Sequence, residues 1–299
     1  MLKKYSDLLL VLVALSWGST FILVKKAIMD LPAFSFLFVR FFLAFLLMYI
    51  LFYKKITLNK NTLKAAFILG AFNFIAYALQ TISLYYLPSN IVAILTGLFV
   101  IFTPIIAFFI FKKSISIYAA IGALMAFVGI YFLNIRDNFI FSPAIILVIL
   151  CAFFYALHIN FTDIFSKKYN IYTLVTFQFL AVALLSLIFI PFEDLSNVKI
   201  SGVVVLAIVI TVIFATVFAF FIQTFAQQYT SATKTAIIFA LEPLSATIIG
   251  VFFGESLNLK QIIGAILVIL SMIITEIGDE ITKRGRDFLK WLRNNNINS

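Results

Sequence analysis

The sequence predicts an all-α membrane protein of ten transmembrane helices, and three observations carry that prediction. Hydrophobic residues fill 64% of the 299 positions and charged residues only 11%, whereas a soluble domain carries about 25% charged residues. Apolar runs of roughly 20 residues, the length that crosses about 30 Å of hydrocarbon as a helix, recur along the chain. The Lys and Arg residues gather in short patches between those runs, as the loops of a multi-pass protein require.

The runs lie at 8–28, 34–53, 65–86, 91–111, 117–134, 143–162, 172–192, 202–224, 235–253 and 261–278. Turn and breaker residues separate them, among them Pro32, Asn59 to Asn61, Pro88-Ser89-Asn90 and Arg136-Asp137-Asn138. Helices are the form these runs must take, because an open strand leaves backbone groups unpaired in lipid. The first run is too long for a signal-peptide core, and nine more follow it.

Charge bias sets the expected orientation. With the N-terminus inside, the cytoplasmic side holds sixteen basic residues: Lys3, Lys4, Lys54, Lys55, Lys60, Lys64, Lys112, Lys113, Lys167, Lys168, Lys234, Lys283, Arg284, Arg286, Lys290 and Arg293. The outer side holds five, Lys25, Lys26, Arg136, Lys199 and Lys260, while Arg40 falls within a span. Both termini are therefore expected in the cytoplasm, in the inner (plasma) membrane of a cell. This placement also turns the net charge of +10 toward the lipid bilayer and away from nucleic acid. Cys151 is the single cysteine, so neither an internal disulfide nor a cysteine metal cage is available, and the reading calls for no cofactor and no metal.

The two halves repeat one another. A shift of 138 sets Trp17-Gly18 over Tyr155-Ala156 and Arg40 over Gln178. A shift of 143 sets Gln80-Thr81 over Gln223-Thr224, Tyr86 over Tyr229, Ala93-Ile94 over Ala236-Ile237 and Ile105-Ile106 over Ile248-Ile249, and a shift of 142 sets Ile121-Gly122-Ala123 over Ile263-Gly264-Ala265. The expected units are residues 7–136, residues 143–278 and a basic tail, 279–299. Five spans per repeat is an odd number, so the second repeat must enter the membrane inverted. Inverted repeats with a midplane site between them are an architecture of secondary transporters.

With these residues assembled, the chain resembles the drug/metabolite transporter superfamily, specifically its EamA-type ten-helix members, over about 7–278. The resemblance is carried by Ala14-Leu15-Ser16-Trp17-Gly18, Arg40, Ala93 to Val100 with Pro104, Thr235 to Pro243, Gly254-Glu255 and Gly264-Ala265. It implies export of amino acids, other metabolites or toxic compounds. The chain departs from the pattern at Lys112, where first halves often carry a glutamate like Glu255, and at Tyr155, where many second halves keep a tryptophan.

Polar residues inside the spans are the candidate site. Asn73, Tyr77, Gln80 and Thr81 share one face of the third helix. Thr216, Phe220, Gln223 and Thr224 occupy the repeat-equivalent face of the eighth, with Gln227 one turn on. They read as a wall of a substrate cavity or as interhelical hydrogen bonding. Trp17 and Tyr155, also repeat-equivalent, supply an apolar floor or ordinary packing. Charges at depth usually face a bundle interior or water. Glu242 and His158 are thus candidates to carry a proton or bind substrate, Glu242 alternatively serving the helix distorted by Pro243. Arg40 could snorkel outward or point inward as an anion-binding or fold-locking charge. Its place in the family pattern favours the inward reading, with a structural ion or carbonyl contact ahead of direct substrate binding. Lys25 and Lys26 are expected at the interface.

The expected function is secondary transport, most naturally export, of small amphipathic metabolites such as amino acids by alternating access about a midplane cavity. No GxxxxGK[ST] loop is present, so nucleotide drive would need another chain. The rivals are a non-transporting sensor or accessory subunit, and a membrane-embedded lipid-modifying enzyme, which would call for clustered His, Asp or Glu. A small-molecule substrate is the expected partner, with the protein a monomer or homodimer. The tail places Ile281, Gly285, Phe288 and Leu292 beside Lys283, Arg284, Arg286, Lys290 and Arg293, the pattern of a short helix on an anionic leaflet.

Overall fold

The computed structural model describes residues 2–112, 117–134, 142–271, 273, 274 and 278. The Arg136-Asp137-Asn138 turn and the basic tail lie outside the described residues. Within them the chain is helical and contains no strand: α1 (Leu2–Ala27), α2 (Ala33–Phe52), α3 (Lys60–Ser83), α4 (Ser89–Thr96), α5 (Phe99–Phe111), α6 (Ile117–Asn134), α7 (Ala144–Lys168), α8 (Ile171–Phe189), α9 (Gly202–Ile210), α10 (Ala219–Ala226), α11 (Ala232–Phe239) and α12 (Leu241–Phe252). A further helix, α13, spans Leu259–Ser271. Among the described residues eight helical stretches are long and apolar enough to cross a membrane. Large apolar side chains stand exposed on their outer faces, Ile50, Phe109 and Phe252 among them, as lipid contact permits and water does not. The chain is an all-α, multi-pass membrane protein; α6 and α13 stand where the fifth and tenth runs are expected.

Local chemistry explains where three of the helices begin. The Asn59 side chain accepts from the Asn61 and Thr62 amides at 2.9 and 3.4 Å to start α3. Asn170 accepts from Thr173 N at 3.0 Å to start α8, and Ser201 caps α9. These side chains satisfy backbone donors that a helix start leaves open. Helices α2 and α4 follow Pro32 and Pro88 and have no local side-chain cap. Their open amides are met by carboxylates far along the chain, Glu193 for α2 and Glu255 for α4.

Three spans are irregular at depth. The fourth breaks at Gly97-Leu98 between α4 and α5, and the ninth breaks at Ala240 between α11 and α12. In the ninth the cause is Pro243, which has no N–H to return to the Phe239 carbonyl four residues earlier. The two breaks are repeat-equivalent: under the 143 shift the end of α4, Thr96, falls on the end of α11, Phe239. The eighth span passes through a π-helical turn, Thr211–Phe218, a form that recurs at functional sites.

The halves interlock. Helix α1 packs on α12, α2 on α8, and α3 on both α7 and α8. The approach of α1 to α12 needs Gly18, because a Cβ there would lie 2.6 Å from the Glu242 carbonyl oxygen. Backbones approach this closely only at small residues. The largest fully buried side chains, Phe36, Phe41, Phe179, Phe220 and Phe239, come from both halves.

Candidate functional site: a cavity between the halves

One cavity of about 620 Å³, counting the part continuous with solvent, opens between the two halves. Its walls are mainly aromatic. Trp17, Phe21, Tyr77 and Phe99 come from the first half, and Tyr155, Phe220 and Phe239 from the second. The Trp17 ring meets Phe239 edge-on at 4.9 Å and Phe220 at 5.4 Å. Tyr155 meets Tyr77 edge-on, also at 5.4 Å. Arrangements of this kind stabilise aromatic pairs beyond their buried area.

The π turn supplies the central polar anchor. Its Ala215 carbonyl accepts the Trp17 indole N–H at 2.8 Å and an Arg40 Nη2 hydrogen at 3.2 Å. Arg40 Nε also donates to the Thr216 hydroxyl at 2.8 Å, and Nη2 reaches the Tyr77 oxygen at 3.4 Å. The guanidinium carbon lies 4.8 Å from the Tyr77 ring centre and 5.2 Å from that of Phe41, within cation–π range. A buried cation is thereby engaged by a carbonyl, two hydroxyls and two ring faces.

The equivalent position in the second half does the reciprocal job. Gln178, the partner of Arg40 under the 138 shift, accepts from Asn73 Nδ2 at 3.2 Å, and Asn73 is the partner of Thr216 under the 143 shift. So Arg40 of the first half binds Thr216 of the second, and Gln178 of the second binds Asn73 of the first. His158 Nε2 joins this second cluster, 3.0 Å from Gln178 Oε1 and 3.1 Å from Asn73 Nδ2. Its ring also stands edge-on to Phe220 at 5.6 Å.

Nine of the twelve residues named from sequence line this one cavity: Trp17, Arg40, Tyr77, Gln80, Thr81, Tyr155, His158, Gln223 and Glu242. Asn73, Thr224 and Gln227 do not reach its wall. Asn73 lies behind His158; Gln227 is bonded to Gln223 at 3.2 Å and to the Ile159 carbonyl at 3.0 Å; Thr224 is fully buried. Gln80 donates to Thr96 Oγ1 at 3.1 Å and accepts the Tyr155 hydroxyl at 3.4 Å. Gln223 Oε1 is buried with no hydrogen-bond partner among the described residues. Glu242 is 6% exposed, and no described side chain or amide donates to its carboxylate.

Sequence reasoning left several contributors unmarked. Gln178 surfaces only as the counterpart of Arg40, and Phe21, Phe99 and Phe239, unlike Phe220, are indistinguishable among 37 phenylalanines. The break positions were the available signal, because Phe99 and Glu242 occupy equivalent places at the two discontinuities. Lys25, at the end of α1, donates to the Leu87 carbonyl at 3.0 Å and lies 3.6 Å from Glu255.

A half-helix start at depth, an aromatic wall and a few convergent polar groups are the ingredients of a small-molecule site in a membrane carrier. Comparison with known proteins agrees with this geometry. A solved crystal structure of a protein aligns over 93% of this chain and 99% of its own at a TM-score of 0.69 and 18% identity, a likeness of fold. An uncharacterized transporter of Archaeoglobus fulgidus is 34% identical over 276 residues, covering 92% of this chain and 87% of the relative. The uncharacterized transporter YoaV of Bacillus subtilis is 21% identical over 270 residues, covering 86% and 91%. The EamA-like transporter family matches twice, over residues 4–135 and 142–277. With both halves of the cavity inside those two matches, the chain belongs to the EamA-like transporter family.

Proposed function

We propose that this membrane transporter is a secondary carrier that exports small amphipathic metabolites, such as amino acids, by alternating access about the cavity between its halves. The observation that carries the reading is Glu242. It is a carboxylate at the start of α12, facing a cavity built by both halves, with no donor from any described residue. A buried carboxylate in that condition calls for a proton or a donor-bearing ligand. Exchange of one for the other would couple substrate movement to a proton gradient.

The reciprocal pairs Arg40–Thr216 and Gln178–Asn73 support two inverted five-helix repeats, and near-equivalent halves can trade conformations at similar energy. We place the protein in the inner (plasma) membrane with ten spans and both termini in the cytoplasm, on the strength of the Lys and Arg bias. It acts as a monomer or homodimer, without catalysis. The test is a ligand-dependent thermal-shift screen of amino acids and related amphiphiles on the purified protein, followed by flux of each hit into proteoliposomes under an imposed pH gradient. Hits that stabilise the protein and move with the gradient support the reading; stabilisation without flux favours a sensor.

A further inference from the structure

Near one end of the cavity a single carboxylate joins several helix ends. Helix α4 starts after Pro88, and its open amides at Ser89 and Asn90 donate to Glu255 Oε1 and Oε2 at 2.8 and 3.0 Å. Glu255 reaches them because Gly254, at φ +90, turns the chain sharply off α12, a backbone form that favours glycine. Lys25 joins the cluster from α1, 3.6 Å from Glu255 Oε1, and its ammonium also donates to the Leu87 carbonyl. The ends of α1, α4 and α12 and the α3–α4 turn therefore meet at one carboxylate.

Sequence neighbours of this cluster line the cavity. Val24, the neighbour of Lys25, and Leu84, three residues before Leu87, both line it. Glu242 lies ten residues before the end of α12 at Phe252, so the cluster stands about 15 Å of helix away from it. The other distant cap, Glu193 on the Phe34 and Ser35 amides, forms no ion pair among the described residues, and the sequence neighbours of Phe34 and Ser35 are absent from the cavity wall. The Lys25 and Glu255 side chains are 30% and 12% exposed, so water can replace their contacts, which a fully buried pair would not allow.

We propose that Glu255, with Lys25, is the latch of a gate: in this conformation it closes the cavity at the α4 end, and its release frees α1 from α4 and α12 to admit solvent there. The purpose of the gate rests on the transporter reading. Its opening does not, and is measurable without substrate.

The experiment uses the full chain with Cys151→Ala and Thr20→Cys, Thr20 being a cavity residue, reconstituted in liposomes. A membrane-impermeant maleimide is applied from the Glu255 side, and the rate of alkylation at position 20 is read. Adding Glu255→Gln, which keeps shape but removes charge, is expected to raise that rate about tenfold, the shift from replacing a charge-assisted hydrogen bond with a neutral one. Lys25→Gln should raise it in the same direction and decides the matter if Glu255→Gln does not fold. Glu193→Gln is expected to leave it unchanged. Unchanged labelling in monodisperse Glu255→Gln and Lys25→Gln proteins would overturn the latch, as would an equal rise in Glu193→Gln.

Discussion

Arg40 Nε donates to the Thr216 hydroxyl at 2.8 Å, joining α2 of one half to the π turn of the other. The same guanidinium and the Trp17 indole converge on the Ala215 carbonyl. A cavity-lining aromatic, a buried cation and an irregular turn are thus joined at one carbonyl.

Arg40 is therefore expected to be a keystone of folding. Arg40→Lys should fail to replace it, because an ammonium lacks the planar fork that reaches a carbonyl and two hydroxyls together. Loss of hydrogen bonds to a charged group predicts destabilisation of about 1.5–3 kcal/mol, read as a lower unfolding temperature of the purified protein. A lysine variant as stable as wild type would mean that the buried charge alone matters.

Gln80 and Gln223 bring one cavity-lining amide each from equivalent positions in the two halves. Replacing either by leucine is expected to weaken substrate binding by about 0.5–1.5 kcal/mol, one hydrogen bond. The double change should cost more than either single one. Isothermal titration with a ligand from the thermal-shift screen measures this; wild-type affinity in both variants would make these glutamines packing residues.

How much of this was legible beforehand follows from what the signals are. Apolar runs marked the spans because lipid demands them, and the polar faces of the third and eighth spans stood out against an apolar background. The π turn at Thr211–Phe218 left no mark, since the run there is as apolar as its neighbours. Glu193 and Glu255 fall outside the apolar runs, and nothing local marks them as caps because their partners, the α2 and α4 amides, lie about 160 positions away in sequence. Asn90 shows the same limit: it reads as an exposed turn residue, yet it is fully buried at the α4 start.

That burial also chooses the positions for a topology test. In a Cys151→Ala background, Tyr86→Cys and Asn197→Cys, both exposed, should react with an impermeant thiol reagent in intact cells. Lys60→Cys and Lys168→Cys, exposed at the other ends of their helices, should react only after permeabilisation. Labelling of the second pair in intact cells would reverse the orientation, and a mixed pattern would break the inverted-repeat argument.

Trp17→Phe keeps the aromatic wall but removes the indole donor to Ala215. Transport should fall while the unfolding temperature changes little, because Arg40 still holds the same carbonyl. Flux and thermal unfolding of one preparation check both halves of the statement, and an unaltered flux would detach the π turn from the transport cycle.

The most direct test of the central claim is Glu242→Gln. Its amide fills the same space at the start of α12 but holds no exchangeable charge. In proteoliposomes, flux driven by a pH gradient should be abolished, while ligand-induced thermal stabilisation and the size-exclusion profile persist. Undiminished pH-driven flux through the glutamine variant would contradict the account.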